Sequence, residues 1–218
     1  MNTSIDSATP QSSNARQALT TRPDFGAIAA WIAPQSSVLD LGCGDGTLLR
    51  YLQTNLKVHG YGVEIDAENV LTCFKNGVNV IQSDLESGLS GFESDSFDYV
   101  ILSQTLQAMK NTEKIILEML RVGKEGIVSF PNFGYWRNRL QVLSGHMPVT
   151  PGLPYQWYDT PNIHLCTLRD FEALCSQHHI NILERRVMNS NKKIGLLPGL
   201  LGTLAFYRFS RTDGDEYR

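Results

Sequence analysis

Several features are scarce in this sequence of 218 residues, and each scarcity excludes a class of protein. The four cysteines, Cys43, Cys73, Cys166 and Cys175, lie too far apart for a CxxC metal or redox motif. No stretch approaches the roughly 18 consecutive apolar residues of a membrane span. The formal net charge of −3 lacks the basic excess of a dedicated nucleic-acid binder. The sequence therefore predicts no metal site, no membrane association and no nucleic-acid partner.

The two ends of the sequence are polar. Residues 1–21 are rich in Ser, Thr, Asn and Gln and lack the apolar core of a secretion signal. We predict a disordered lead-in over residues 1–21 and a short flexible tail over residues 212–218. The missing signal and the unpaired cysteines favour a reducing, cytoplasmic location.

Between the ends, short apolar strands alternate with helices. The segments VLDL, KVHGYGVEI, VNVIQSD, FDYVILSQ and GIVSF read as strands, and apolar residues recur at helical spacing between them. Nearly all-apolar strands in such an alternation belong to a parallel sheet covered on both faces. An irregular, aromatic-rich insert or lid occupies about residues 133–163, before a helix capped by Thr167 and two closing strands. We predict an α/β, Rossmann-like doubly wound domain over residues 22–211.

The stretch VLDLGCGDGTLL places three glycines, Gly42, Gly44 and Gly46, directly after the first strand. Ligands of open parallel sheets bind at the carboxyl ends of the strands, and glycine there lets ligand atoms approach the main chain. Dinucleotide-binding proteins use the spacing G-x-G-x-x-G, whereas this loop reads G-x-G-x-G and contains Asp45. A carboxylate in the loop repels phosphates and suits a ligand with an amino group and a positive sulfur. An NAD-dependent oxidoreductase is therefore disfavoured.

Acidic residues end the next two strands. Glu64 lies about 20 residues past the glycines, where a carboxylate can accept both hydroxyls of a ribose. Asp84 is placed to accept a hydrogen bond from the exocyclic amine of adenine, with Leu85 packing near the ring. Each feature alone is common as a tight turn or a helix cap, but the three in order on successive strand ends predict a nucleoside-binding site.

This pattern resembles that of class I S-adenosylmethionine (SAM)-dependent methyltransferases from about residue 22 to residue 211. The resemblance implies a seven-stranded, mostly parallel sheet whose last strand is antiparallel. It also implies eight cofactor-binding residues: Asp40, Gly42 and Gly44 at the methionine half of SAM, Glu64 at the ribose, Asp84 and Leu85 at the adenine, Ser103 near the methyl group, and Ile65, which follows Glu64, without a finer assignment.

A closer resemblance rests on five blocks: LDLGCGDGTLL, GYGVEID, FDYVILSQTLQAM, SFPNFGYWRNRLQ and LPYQWYDTPNIHLCTLRDFEALC. Together they are similar to the MetW family of bacterial methionine biosynthesis proteins. The resemblance implies a cytoplasmic protein that binds SAM or S-adenosylhomocysteine and supports the activity of homoserine O-acyltransferase (MetX). The alternative is an active SAM-dependent methyltransferase on an unidentified small-molecule or protein acceptor.

The sequence offers no familiar acceptor motif for methyl transfer after the fourth strand. Ser103 and Gln104 are expected near the methyl group, but both are neutral and equally suited to orienting SAM. His164 is the one candidate general base, and its other interpretation is a histidine that fixes the insert by hydrogen bonds. The catalytic residues are therefore unknown from the sequence.

The insert carries an aromatic cluster, Tyr155, Trp157 and Tyr158, with three interpretations. It can make cation–π contacts with the sulfonium, bind a partner protein, or simply pack within the lid. Arg137 and Arg139 lie on an expected helix, either as a solvated face or as an anion site.

Overall fold

Eight strands form one mixed sheet in the computed structural model, which describes residues 23–212. The predicted lead-in at residues 1–21 and, apart from Thr212, the predicted tail lie outside the described residues. The strands are β1 (Ser37–Leu41), β2 (His59–Glu64), β3 (Asn79–Gln82), β4 (Phe97–Ser103), β5 (Gly123–Pro131), β6 (Ile180–Asn189), β7 (Lys192–Lys193) and β8 (Leu204–Arg211).

Helices fill the connections between these strands. They are α1 (Pro23–Ala29), α2 (Thr47–Leu56), α3 (Ala67–Lys75), α4 (Thr112–Val122), α5 (Trp136–Leu143), α6 (Leu168–Gln177) and α7 (Pro198–Leu201), with 3₁₀ turns at Leu85–Ser87 and Leu106–Ala108. Over residues 23–212, no helix has the length and apolar character needed to cross a membrane. Helix α6 begins at the expected cap, Thr167, and the structure adds a capping box in which Thr167 and Asp170 bond reciprocally.

The strand order is β3-β2-β1-β4-β5-β8-β6-β7. Strands β1 to β5 pair in parallel, and β8 is antiparallel to both β5 and β6. The predicted doubly wound α/β fold with an antiparallel last strand is therefore confirmed. The predicted count of seven strands is one short, because the two residues of β7 fold back on the end of β6 as an edge hairpin. So short a segment leaves no periodicity in the sequence.

Apolar side chains alternate along the central strands and fill a core on each face of the sheet. Val38 and Ile101 pack with helices α1 and α2, whereas Leu39 and Leu102 pack with α4 and α6. Burial on both faces explains why these strands read as nearly unbroken apolar runs.

A crevice opens at the carboxyl end of β1. This strand lies between β2 and β4, and the chain leaves β1 toward α2 on one face and β4 toward α4 on the other. Connections that diverge in this way leave a gap at the end of the sheet, where ligands of open α/β folds bind.

Candidate functional site

The glycine loop after β1 has a left-handed main chain. Gly42 has φ 66° and Gly44 has φ 56°, a region that residues with a Cβ rarely adopt. A Cβ on Gly42 would lie 2.8 Å from the side chain of Thr105, so this position is closely packed. A Cβ on Gly44 would meet no atom within 4 Å. Gly44 therefore presents bare main chain to open space.

That open space is a crevice of about 690 Å³, within the usual range of small-molecule sites. Its lining residues come from α1, β1, the glycine loop, the start of α2, α3, the end of β4 and the start of β8: Asp24, Phe25, Asp40, Gly42, Cys43, Gly44, Asp45, Leu48, Asn69, Ser103, Gln104 and Leu204. Among these lining residues of the described chain, three are aspartates and none is Lys, Arg or His. The crevice therefore favours a ligand with positive charge over one with phosphates.

Four of the eight predicted cofactor-binding residues line this crevice. They are Asp40 at the end of β1, Gly42 and Gly44 in the loop, and Ser103 at the end of β4. Asp40 is buried, and the hydroxyl of Ser103 lies 3.1 Å from the hydroxyl of Ser129. The fold thus brings together residues far apart in sequence, and their contacts with a cofactor remain predictions.

Glu64 closes β2 beside the loop, and its carboxylate is held by main-chain donors. One oxygen, Oε2, accepts the N–H of Gly44 at 2.8 Å. The other, Oε1, accepts the N–H groups of Ile65 at 3.0 Å and Asp66 at 2.9 Å. Because a carboxylate oxygen has two lone pairs, Oε2 keeps one for a further donor. The side chain is buried and is not among the crevice-lining residues, so its predicted role at the ribose remains a prediction.

The residues predicted at the adenine lie farther along the same edge of the sheet. Asp84 is exposed and caps the 3₁₀ turn, since its Oδ1 accepts the N–H of Glu86 at 2.9 Å. Leu85 is buried beneath it, whereas Ile65 is exposed. The main-chain bond from Ser83 to Glu64 keeps these strand ends adjacent. None of the three lines the crevice, so the adenine contacts of Asp84 and Leu85 and the cofactor contact of Ile65 stay predictions.

Helix α1 supplies two lining residues that the sequence did not assign to the site. Asp24 lies in the first turn of α1, and the structure buries it at the crevice with Phe25 next to it. Its Oδ2 accepts a hydrogen bond from Nε2 of Gln104 at 3.0 Å. Gln104 itself has a left-handed main chain, with φ 54°. Only the tertiary packing of α1 brings Asp24 to the loop, so no local pattern identifies it.

His164 lies at a different cavity. This cavity, of about 1000 Å³, runs between α4 and α6 and is larger than the crevice, but it contains none of the predicted cofactor-binding residues. His164 is exposed, its Nε2 is 3.2 Å from the carbonyl oxygen of Lys110, and its main-chain N–H donates to Gln107. These contacts match the interpretation in which it fixes the insert.

The aromatic cluster of the insert also lies outside the crevice lining. Trp157 and Tyr158 are 72% and 70% exposed, and their rings pack edge to face with centroids 5.6 Å apart. Of the two arginines, Arg139 donates to the carbonyl of Gly134, whereas Arg137 lies over the ring of Trp136. Both contacts lie within the chain, and an anion-binding role of either arginine stays a prediction.

The cysteines are free thiols, and two of them pack under the loop. The sulfur atoms of Cys43 and Cys73 are 3.8 Å apart, and burial raises the pKa of both thiols. They therefore stay protonated and act as small apolar groups. In the described chain, no three His, Cys, Asp or Glu side chains are grouped to hold a metal ion.

Comparison with solved structures defines the class of fold. A SAM-dependent methyltransferase of Thermotoga maritima, described as a possible histamine N-methyltransferase, superposes with a TM-score of 0.62 at 17% identity, covering 93% of this chain and 96% of that one. Magnesium protoporphyrin IX methyltransferase (ChlM) of Synechocystis PCC 6803, solved with bound S-adenosylhomocysteine, gives 0.63 at 16% identity, covering 97% and 90%. The chain has the fold of SAM-dependent methyltransferases.

Sequence comparison then identifies the family. Residues 22–208 match the family model described as methionine biosynthesis protein MetW. The chain is also 41% identical over 176 residues to the bifunctional methionine biosynthesis protein MetXA/MetW of Rhodopirellula baltica, covering 76% of this chain but only 28% of that protein. The chain belongs to the MetW family of methionine biosynthesis proteins.

Proposed function

We propose that this MetW-family chain binds SAM or S-adenosylhomocysteine in the crevice and acts as a partner that supports homoserine O-acyltransferase. The observation that carries the ligand is the lining of the crevice, which in the described chain combines bare main chain at Gly44 with three aspartates and contains no basic residue. A sulfonium and an ammonium are attracted to such a site, whereas the pyrophosphate of NAD is repelled.

Different residues of the site would hold different parts of the adenosyl ligand. Gly42, Gly44 and Asp40 would hold the methionine half, where the open space beside Gly44 admits a ligand close to the main chain. Glu64 would accept a ribose hydroxyl through the remaining lone pair of Oε2. Asp84 keeps its Oδ2 available to the adenine amine, since its Oδ1 caps the turn. Leu85 and Ile65 would flank the ring.

SAM, when bound, supplies a methyl group activated by a positive sulfur. Ser103 and Gln104 lie at the end of β4 that faces this part of the crevice, and both are neutral hydrogen-bonding groups. His164 lies at the other cavity, so it is not placed to take a proton from an acceptor in the crevice. The residues in hand serve binding and orientation better than proton transfer, which favours a binding partner over a working methyltransferase.

The acyltransferase partner is supported by the architecture of the R. baltica relative. Its name assigns both MetXA and MetW to one polypeptide, and this chain matches about a quarter of its length. Two activities joined in one chain are held at high effective concentration, an arrangement that suits proteins that act on each other. We infer that the present chain likewise acts together with a homoserine O-acyltransferase.

Two measurements test the proposal. Calorimetric titration with SAM, S-adenosylhomocysteine and NAD should show binding of the first two and none of the third. Tighter binding of NAD than of SAM would refute the ligand assignment. Assays of the purified acyltransferase of the same organism should then show higher activity with this protein than without it.

If the activity of the acyltransferase is the same with and without the protein, the partner assignment is refuted. Incubation of the protein with methyl-labelled SAM and cell extract distinguishes a binding partner from an active methyltransferase. Reproducible transfer of the methyl label to an acceptor would assign an active methyltransferase instead.

A further inference from the structure

Helix α5 has its apolar face toward solvent. Trp136, Leu140 and Leu143 are spaced i, i+4 and i+7, so they form one stripe along the helix. Their exposed fractions are 37%, 53% and 84%. A surface helix normally turns such a stripe toward the core. An apolar stripe at solvent marks an interaction surface.

The inner face of α5 is held by a polar residue. Asn138 is the one buried residue of this helix. Its Nδ2 donates to the carbonyl oxygens of Asn132 and Phe133, and its Oδ1 accepts from the hydroxyl of Thr150 at 3.1 Å. Because rolling the helix inward would break this network and bury charged neighbours, the apolar stripe is fixed in its outward position.

The segment that follows α5 carries further exposed apolar side chains. The side chain of Gln141 bonds both the N–H and the carbonyl of Val149, which folds the following segment back along α5. Met147 and Val149 in this segment are also exposed. We call the stripe formed by Trp136, Leu140 and Leu143 the α5 patch.

A cation lies at one end of the α5 patch. The guanidinium of Arg137 is 5.3 Å from the ring centroid of Trp136, and no carboxylate in the described chain lies within ion-pair distance of it. Trp and Arg side chains dominate the binding energy of protein interfaces. The pair therefore indicates a protein partner that presents an apolar groove with an acidic group at its rim.

We propose that the α5 patch is the docking surface for homoserine O-acyltransferase, an inference that rests on the proposed function. The R. baltica relative joins the two proteins in one polypeptide, which favours this occupant over an unrelated one. Because Arg137 is positively charged, the acyltransferase should present an acidic group opposite it. Helix α5 follows β5, which runs parallel to β1, so the patch lies toward the edge of the sheet where the crevice opens.

The test is the affinity of the purified acyltransferase for the full chain and its variants, measured by calorimetry. Leu140→Asp and Leu143→Asp place a charge in the α5 patch and should each weaken binding at least tenfold. Arg137→Glu should weaken it as well, because it reverses the charge at the rim. Leu71→Asp is the matched control, since Leu71 is 58% exposed on α3 and should leave the affinity unchanged. Circular dichroism checks that each variant is folded.

The outcomes separate the docking surface from the proposed function. If the acyltransferase binds the wild-type chain and the patch variants equally well, the docking surface is wrong while the partnership stands. If it binds neither and its activity does not respond, both proposals fall. Analytical sedimentation tests whether a second copy of this chain occupies the patch instead. If the wild-type chain is a dimer and Leu143→Asp converts it to a monomer, the patch is assigned to that second copy.

Discussion

The carboxylate of Glu64 accepts the main-chain N–H of Gly44 at 2.8 Å, which ties the tip of β2 to the glycine loop after β1. The same side chain also holds the N–H groups of Ile65 and Asp66. One residue therefore shapes the loop predicted to face the methionine half of SAM while occupying the position predicted for the ribose. Loss of Glu64 should affect the stability of the protein as well as its affinity for the ligand.

Glu64→Ala should lower the free energy of unfolding by about 1–3 kcal/mol, because three main-chain N–H groups lose their acceptor near the core. It should also weaken SAM binding by about 1.5–3 kcal/mol, the usual scale for hydrogen bonds to a charged group. Urea unfolding and calorimetry measure the two effects. Glu68→Ala on the exposed surface of α3 is the control. Unchanged SAM affinity in Glu64→Ala would refute the ribose assignment.

Gly44→Ala separates strain in the main chain from obstruction of the crevice. A Cβ at Gly44, with φ 56°, costs about 1–2 kcal/mol of conformational strain. Gly145 is the matched control, since it has φ 84° and its Cβ would likewise meet nothing within 4 Å. Both alanine variants should lose similar stability, but only Gly44→Ala should weaken SAM binding, by about tenfold or more. Equal SAM affinity in the two variants would show that no ligand approaches Gly44.

The sequence predicted those parts of the fold that depend on local pattern. Strands β1 and β4 are buried on both faces, so their apolar runs identified a covered parallel sheet. The spacing of Gly42 and Gly44 identified the loop, because positive φ and close approach leave few alternatives to glycine. Thr167 marked the start of α6 in the same way, as a residue type that caps helices.

What the sequence did not reveal depends on tertiary contacts. Asp24 comes to the crevice only because α1 packs across the sheet to Gln104, 80 residues away in the chain. The outward stripe of α5 has the same period as an ordinary amphipathic helix, so periodicity alone does not tell which face is buried. The hydrogen bonds of Asn138 decide it. Similarly, the sequence shows that His164 follows the insert, but only the fold places it at the other cavity.

The hydrogen bond between Asp24 and Gln104 should couple α1 to the crevice. We expect the variants Asp24→Ala, Gln104→Ala and their combination to give a coupling energy of about 0.5–3 kcal/mol in the free energy of unfolding, as for other side chains in contact. Asp24→Ala should in addition weaken SAM binding, because it removes a carboxylate from a site for a cation. The double-mutant cycle is measured by urea unfolding. Additive single effects would show that the two residues act independently.

His164→Ala should leave the affinity for SAM within about twofold of the wild-type value, since His164 contacts Lys110 and Gln107 rather than the crevice. Calorimetry measures this, with Asp24→Ala as the positive control. A large loss of SAM affinity in His164→Ala would place the histidine in the site and restore its interpretation as a catalytic residue.

Asp98 predicts how stability depends on pH. Its carboxylate accepts hydrogen bonds from the ammonium of Lys124 at 2.8 Å and from the N–H and hydroxyl of Ser37 at 2.9 Å. These bonds lower the pKa of Asp98 from 3.8 to about 2, and the bond from Lys124 has the largest effect. A lowered pKa in the folded state stabilises the protein above the unfolded-state value, and this stabilisation is lost as the pH falls from about 4 to about 2. The side chain is 37% exposed, so solvent screening reduces the contribution to about 1 kcal/mol.

Asp98→Asn should therefore be less stable than the wild type by about 1 kcal/mol at pH 7, with the difference closing near pH 2. Urea unfolding across this range measures it, and Glu93→Gln, an exposed carboxylate whose side chain bonds no residue of the described chain, should show no such difference. A gap between Asp98→Asn and the wild type that stayed constant down to pH 2 would mean that the ionised form of Asp98 contributes nothing to stability.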